Sequence, residues 1–178
     1  PVIHQFENSD FLNNGRFQVT LTAESYAGCT DQITRTVELY PAIEAAFDAS
    51  AVEGCHPMEV EFTNLSNGAY TYSWDFGDGA SSSDKNPDYT FTNYTDDPVT
   101  REVHLTATSR YNCVSEAMVA ITIHPKPKAR FETDRIINCP PFDITISNTS
   151  LNADHYAWIF GDGDELATRS NEQVHHCL

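Results

Sequence analysis

The sequence predicts an all-β protein built as a tandem array of small antiparallel β-sandwiches. Three observations lead there: strand-like alternation, turn residues at roughly ten-residue spacing, and one sequence pattern that returns 84 residues later. Met58-Glu59-Val60-Glu61-Phe62-Thr63 and Glu102-Val103-His104-Leu105-Thr106-Ala107 alternate apolar with polar, as strands do when one face meets a core and the other meets water. Val119-Ala120-Ile121-Thr122-Ile123 repeats the alternation before Pro125 stops it. Ser66-Asn67-Gly68, Gly77-Asp78-Gly79, Asn86-Pro87 and Asp97-Pro98 supply the turns between them. No amphipathic helix of ten residues is visible, so sandwiches are the natural packing.

The repeat sets the domain organisation. Ala45-Ala46-Phe47 returns as Ala129-Arg130-Phe131, Cys55-His56-Pro57 as Cys139-Pro140-Pro141, and Trp74 as Trp158. Phe76-Gly77-Asp78-Gly79 returns as Phe160-Gly161-Asp162-Gly163. The same offset joins Val19-Thr20-Leu21-Thr22-Ala23 to Val103-His104-Leu105-Thr106-Ala107, and Cys29 to Cys113. Residues 1–41 thus read as the C-terminal half of a module, 42–125 as a complete module, and 126–178 as the N-terminal half of a third. Short Pro-containing connectors, Tyr40-Pro41-Ala42 and His124-Pro125-Lys126-Pro127, are expected to set modules end to end with limited bending.

Composition removes several functions. The 178 residues carry 26 acidic and 10 basic side chains, a formal charge of −16. Phosphate-driven nucleic-acid binding and a polybasic grip on lipid both need clustered Lys and Arg, so neither partner is expected. Apolar residues at 40% and aromatics at 11% suffice for packed domains rather than a disordered acidic tail. No apolar run is long enough for a helical membrane span, so no membrane insertion is expected. Neither does a charged segment followed by an apolar one follow Pro1, so no targeting signal is read there. The five cysteines, Cys29, Cys55, Cys113, Cys139 and Cys177, lie far apart with no CxxC, which favours disulfides over a zinc or redox motif and an extracytoplasmic compartment over a reducing one.

Tyr72-Ser73-Trp74-Asp75-Phe76-Gly77-Asp78-Gly79 resembles the WDFGDG signature of the PKD (polycystic kidney disease) domain, and the resemblance extends over the complete module and both halves. It implies an immunoglobulin-like sandwich. Cysteine before proline early in the module and a second cysteine late are similar to PKD repeats in very large Bacteroidota surface proteins. The resemblance therefore implies adhesins and gliding-motility components exported by the type IX route, at the cell surface or outside it. PKD modules also accompany secreted proteases and polysaccharide-degrading enzymes, themselves serving as noncatalytic spacers or binding modules. Ile159 departs from the pattern where Asp75 stands one repeat earlier, which weakens a ligand role for Asp75.

Candidate site residues read mainly as structural ones. Trp74 and Trp158 suit inter-sheet packing better than sugar stacking. Gly77, Gly79, Gly161 and Gly163 suit turns of positive φ, with Asp78 and Asp162 turning their carboxylates onto turn amides. Asp162, Asp164 and Glu165 are the one calcium candidate set; their spacing does not match an EF-hand, and the turn reading is preferred. No GxSxG elbow, P-loop or GxGxxG occurs, so no catalytic residue is assigned. Asn64, Asn93 and Asn148 head sequons that serve either glycosylation or turns. Cys55 and Cys113 are the expected intramodule disulfide, closing about 59 residues and adding roughly 4 kcal/mol in the chain-entropy model. Cys29 and Cys139 would then pair with another module or chain.

Expected partners are adjacent modules in one chain or neighbouring copies in a filament, and surface glycans or proteins if Tyr70, Tyr72 or Tyr89 are exposed on one sheet face. The leading function is a mechanically robust spacer of a surface adhesin or motility filament. A carbohydrate- or protein-binding accessory module of a secreted hydrolase is the alternative, and an enzyme comes last.

Overall fold

Alternating side chains become strands wherever the sequence alternates. The structure is a computed structural model that describes residues 1–134, 136, 137 and 143–168, and the backbone of 174–177. It contains fifteen strands, and no helix among the described residues. The alternation is cleanest in β5 (Met58–Asn64), where every second side chain is buried.

The middle repeat forms two sheets. One joins β3 (Phe47–Ala49), β5 and β8 (Asp88–Phe91). The other has the order β4-β10-β9-β6-β7, from β4 (Glu53–Cys55), β10 (Val114–His124), β9 (Val99–Thr108), β6 (Thr71–Asp75) and β7 (Ser81–Ser82). Trp74 joins the two layers: its ring lies 5.0 Å from that of Phe47 and 5.5 Å from that of Phe62. Val60, Phe76, Val103, Leu105 and Ile121 complete the buried layer between them. Burying such aliphatic and aromatic side chains contributes about 1.5–3 kcal/mol each, which is what holds a module of this size together.

Two strands precede this sandwich. β1 (Gly15–Glu24) and β2 (Thr30–Leu39) pair from Gly15↔Leu39 to Glu24↔Thr30 as an antiparallel hairpin. Its tip is closed by Ser25 N–H on the Cys29 carbonyl at 2.8 Å, with Gly28 at φ 81°. The tip between β9 and β10 is built the same way: Ser109 N–H reaches the Cys113 carbonyl at 2.9 Å, and Asn112 has φ 61°.

Three further strands, β11 (Phe131–Thr133), β12 (Asp143–Asn148) and β15 (Val174–Cys177), form a sheet, and β13 (Tyr156–Ile159) pairs with β14 (Glu165–Thr168). Residues 128 and 151 form the same isolated bridge as residues 44 and 67. Two compact units result, one of Pro1–Val52, Glu59–Tyr89 and Arg101–Ile121, the other of Glu53–Met58, Thr90–Thr100 and Thr122–Leu178.

The sequon asparagines are structural. Asn64 and Asn148 are 9% exposed, and their Oδ1 atoms accept from the N–H of Ser66 at 2.9 Å and Ser150 at 3.0 Å. Asn93 is 4% exposed and donates to the carbonyls of Asp97 and Ile123, both at 2.8 Å. These are buried turn locks rather than glycan acceptors.

Candidate functional site

The signature turn after β6 is a network of local hydrogen bonds. Trp74 Nε1 donates to the Asp84 carbonyl at 2.9 Å, so the indole is buried with its one polar atom satisfied. Asp75 Oδ1 accepts from Gly77 N–H at 2.9 Å, and Asp78 Oδ1 from Ala80 N–H at 3.1 Å. Tyr89 stacks on Phe76 at 4.1 Å and donates its hydroxyl to Asp78 Oδ2 at 2.8 Å. Burial first, and then that bond to a carboxylate, push the Tyr89 hydroxyl above the ordinary tyrosine range. Gly77, at φ 75°, brings the turn against β9: a Cβ there would stand 2.6 Å from the Glu102 carbonyl oxygen. Gly79 has φ 94°. Each aspartate is occupied by turn amides, so the motif shapes a corner and offers no open ligand set.

The corresponding turn of the last repeat is built alike. Asp162 Oδ1 accepts from Asp164 N–H at 3.1 Å, and Phe160 N–H reaches the Asp164 carbonyl at 2.8 Å. Gly163 has φ 102°, but Gly161 does not take positive φ, contrary to the sequence expectation, and a Cβ there would meet open space. Among the described residues no three His, Cys, Asp or Glu side chains gather to hold a metal, so Asp162, Asp164 and Glu165 are not brought together as a calcium loop. Extended strand geometry explains this for Glu165, which opens β14 opposite Ile159.

The expected intramodule disulfide does not form. Cys29, Cys55 and Cys113 are free thiols. Cys55 is the ladder partner of His124 at the last residue of β10, while Cys113 directly precedes the first. Eleven residues of strand at ~3.3 Å each separate the two by roughly 36 Å, far beyond the reach of a disulfide. Sequence separation showed one cysteine early and one late, but not that they stand at opposite ends of one strand. Cys139 lies outside the described residues.

The exposed aromatics divide. Tyr72 and Tyr89 are half-buried, whereas Tyr70 is exposed with the Arg110 guanidinium 4.5 Å above its ring. Tyr70 and Arg110 border a groove shared with Phe11, Leu12, Pro41 and Tyr111.

The larger opening lies in the last repeat. A groove of about 650 Å³ runs between its two sheets, lined by Phe131, Ile144, Ile146, Tyr156 and Trp158 among others. Phe131 is 61% exposed, against 8% for Phe47 in the middle repeat. Trp158 is half-buried, and its Nε1 lacks an acceptor among the described residues.

Residues 38–123 match the PKD domain family. Among solved structures the chain is similar to the PKD1 domain of the Vibrio cholerae metalloprotease PrtV, at 23% identity over 47% of this chain and 98% of that one, with a TM-score of 0.40. It is similar to the PKD1 domain of Vibrio anguillarum Epp at 22% identity, covering 48% and 96%, with a TM-score of 0.39. Carbohydrate-binding modules of the β-sandwich superfamily, described as promiscuous in specificity, share 14% identity over 76% and 83% of the chains, with a TM-score of 0.43. No curated protein matches the chain in sequence. The chain is all-β among its described residues, and the part that matches the PKD domain family is residues 38–123.

Proposed function

We propose that this chain is a noncatalytic structural segment of a large extracellular surface protein, an adhesin or gliding-motility filament of the cysteine-containing Bacteroidota type exported by the type IX route. The carrying observation is the return of strand boundaries at one offset. Phe47–Ala49 returns as Phe131–Thr133, and Gly15–Glu24 as Val99–Thr108, each 84 residues on. One sandwich pattern used repeatedly makes length, and length is what a spacer supplies. The PKD match over residues 38–123 supports the same reading, since PKD domains occur in secreted and surface proteins. Turn carboxylates already spent on backbone amides leave the best-defined motif with a mechanical role.

The test is antibody labelling of intact cells of the source organism with serum raised against residues 42–125. Labelling before lysis is expected; labelling only after lysis overturns the surface assignment. The alternative, a carbohydrate-binding accessory module, draws on Tyr70 and Arg110 at their groove. Glycan-array binding that disappears with Tyr70→Ala would establish that alternative.

A further inference from the structure

Two tyrosines far apart in sequence lie ring on ring within the stretch that matches the PKD family, and within one compact unit. Tyr40 follows β2, Tyr111 sits on the tip between β9 and β10, and their ring centroids are 4.3 Å apart with planes 9° from parallel. Each backbone is pinned separately. The Tyr40 carbonyl accepts from Asn8 Nδ2 at 2.9 Å, Pro41 fixes the next φ, and Ala42 N–H donates to the Asp10 carbonyl at 2.7 Å. Ser109 Oγ accepts from the N–H groups of Tyr111 and Cys113, both at 3.2 Å. Joining the two rings therefore needs no loop to move. Solvent reaches both, Tyr40 being 55% and Tyr111 49% exposed. Among the described residues neither hydroxyl has a protein hydrogen-bond partner, so phenylalanine would serve the packing equally well. What two phenols add is that both can be oxidised by one electron. The other tyrosines are placed differently: Tyr89 stacks on a phenylalanine with its hydroxyl on Asp78, Tyr70 lies under Arg110, and Tyr94 meets His56. One repeat on, the position of Tyr40 is held by His124, which bonds Glu53 at 2.5 Å, so the phenol is particular to this joint.

We propose that Tyr40 and Tyr111 form a site of oxidative modification, coupled to dityrosine by a one-electron oxidant of the haem-peroxidase class acting with hydrogen peroxide. Each phenol gives up one electron and one proton, and the two electrons and two protons reduce one peroxide to two waters. The resulting radicals join through a carbon–carbon bond between the ring positions ortho to each hydroxyl. The hydrogens displaced from those carbons move to the phenolic oxygens as the rings regain aromaticity, so the protein loses two hydrogen atoms in all. The stacked rings hold the two radicals face to face, which makes the coupling unimolecular and gives it priority over coupling between molecules. The bond ties the end of β2 to the tip that packs on it, closing a loop of roughly 70 residues with a link that reductant does not cleave. A joint locked in this way cannot peel apart when the chain is pulled.

The inference goes beyond the surface-spacer role and is tested separately from it, by treating the full 178-residue chain with a haem peroxidase and hydrogen peroxide. The free thiols are alkylated first, because they would otherwise consume the oxidant. Blue dityrosine fluorescence is expected, carried by a monomer whose intact mass has fallen by two hydrogens. Peptide mapping should find Tyr40 joined to Tyr111, in a yield that does not change with protein concentration. Tyr40→Phe and Tyr111→Phe keep the stacked rings and the fold, and each is expected to lower the intramolecular product about tenfold or more. Absence of dityrosine, coupling through Tyr26 or Tyr70 instead, a product that links two molecules and grows with concentration, or an intramolecular product indifferent to Tyr111→Phe would each overturn the proposal.

Discussion

Trp74 and Leu105 face each other across β6 and β9, and both are 0% exposed. This pair is the centre of the middle sandwich, since the indole also meets Phe47 and Phe62 from the other sheet. Truncating Leu105 leaves a cavity that neighbouring rings cannot fill, so Leu105→Ala is expected to cost about 2–5 kcal/mol in urea unfolding. Leu21→Ala, at the equivalent position of an uncovered hairpin, is expected to change the dilute protein by less than about 0.5 kcal/mol. Equal losses at the two positions would mean that Leu21 is already buried at high dilution.

The signature glycines differ in what they permit, and alanine separates them. Gly77 combines φ 75° with a Cβ position 2.6 Å from the Glu102 carbonyl oxygen, so Gly77→Ala both strains the backbone and pushes β9 away. A loss of more than about 2 kcal/mol is expected. Gly79 has φ 94° but open space, so Gly79→Ala loses about 1 kcal/mol from the backbone alone. Gly161→Ala meets neither obstacle and is expected to be neutral. Thermal melts of the three variants check the order.

Tyr89 gives a pH dependence of known sign. Its hydroxyl donates to Asp78, and burial and that carboxylate both hold it protonated, raising its folded-state pKa above the unfolded value of 10.0. A group raised on folding contributes stability that is fully present below the unfolded pKa and is lost as pH rises through the folded one. Tyrosinate absorbance should therefore show Tyr89 ionising after the exposed tyrosines, with stability declining above about pH 10. Asp78→Asn removes the charge but not the burial, so the ionisation should move only partway back. A full return would put the whole shift on Asp78 and contradict burial as the larger cause.

How much of this was legible in sequence depended on whether a feature is local. Strict alternation in Met58–Asn64 marked a half-buried strand, because side-chain period and sheet geometry are the same fact. The 84-residue return pairs Trp74 with Trp158 in the sequence itself. What could not be read was which end of the sandwich a residue occupies. Cys55 lies on a three-residue strand, too short to alternate, that joins β10 in parallel at its final residues. Nothing in Glu53-Gly54-Cys55 announces that pairing, so the cysteines looked bridgeable. The asparagine of Asn93-Tyr94-Thr95 stayed open between glycan acceptor and turn residue for the same reason: its carbonyl partner at Ile123 is thirty residues away. Gly161 resembled Gly77 in letter, yet Gly161 does not take the positive φ of Gly77 and a Cβ there would meet open space rather than a neighbouring strand.

The placement of the cysteines argues against a crosslink within the middle module. Cys55 is the ladder partner of His124. One repeat earlier the position of His124 is held by Tyr40, whose ring stacks at 4.3 Å on Tyr111, two residues from Cys113 at the next hairpin tip. The end of a repeat that carries a Cys55-type thiol is therefore the end that meets the following tip. Reductant should leave the melting temperature of the dilute chain unchanged, as no bond closes the middle module. A Cys55–Cys113 peptide in a non-reducing map of the protein would contradict the strand geometry, which puts the two thiols at opposite ends of β10.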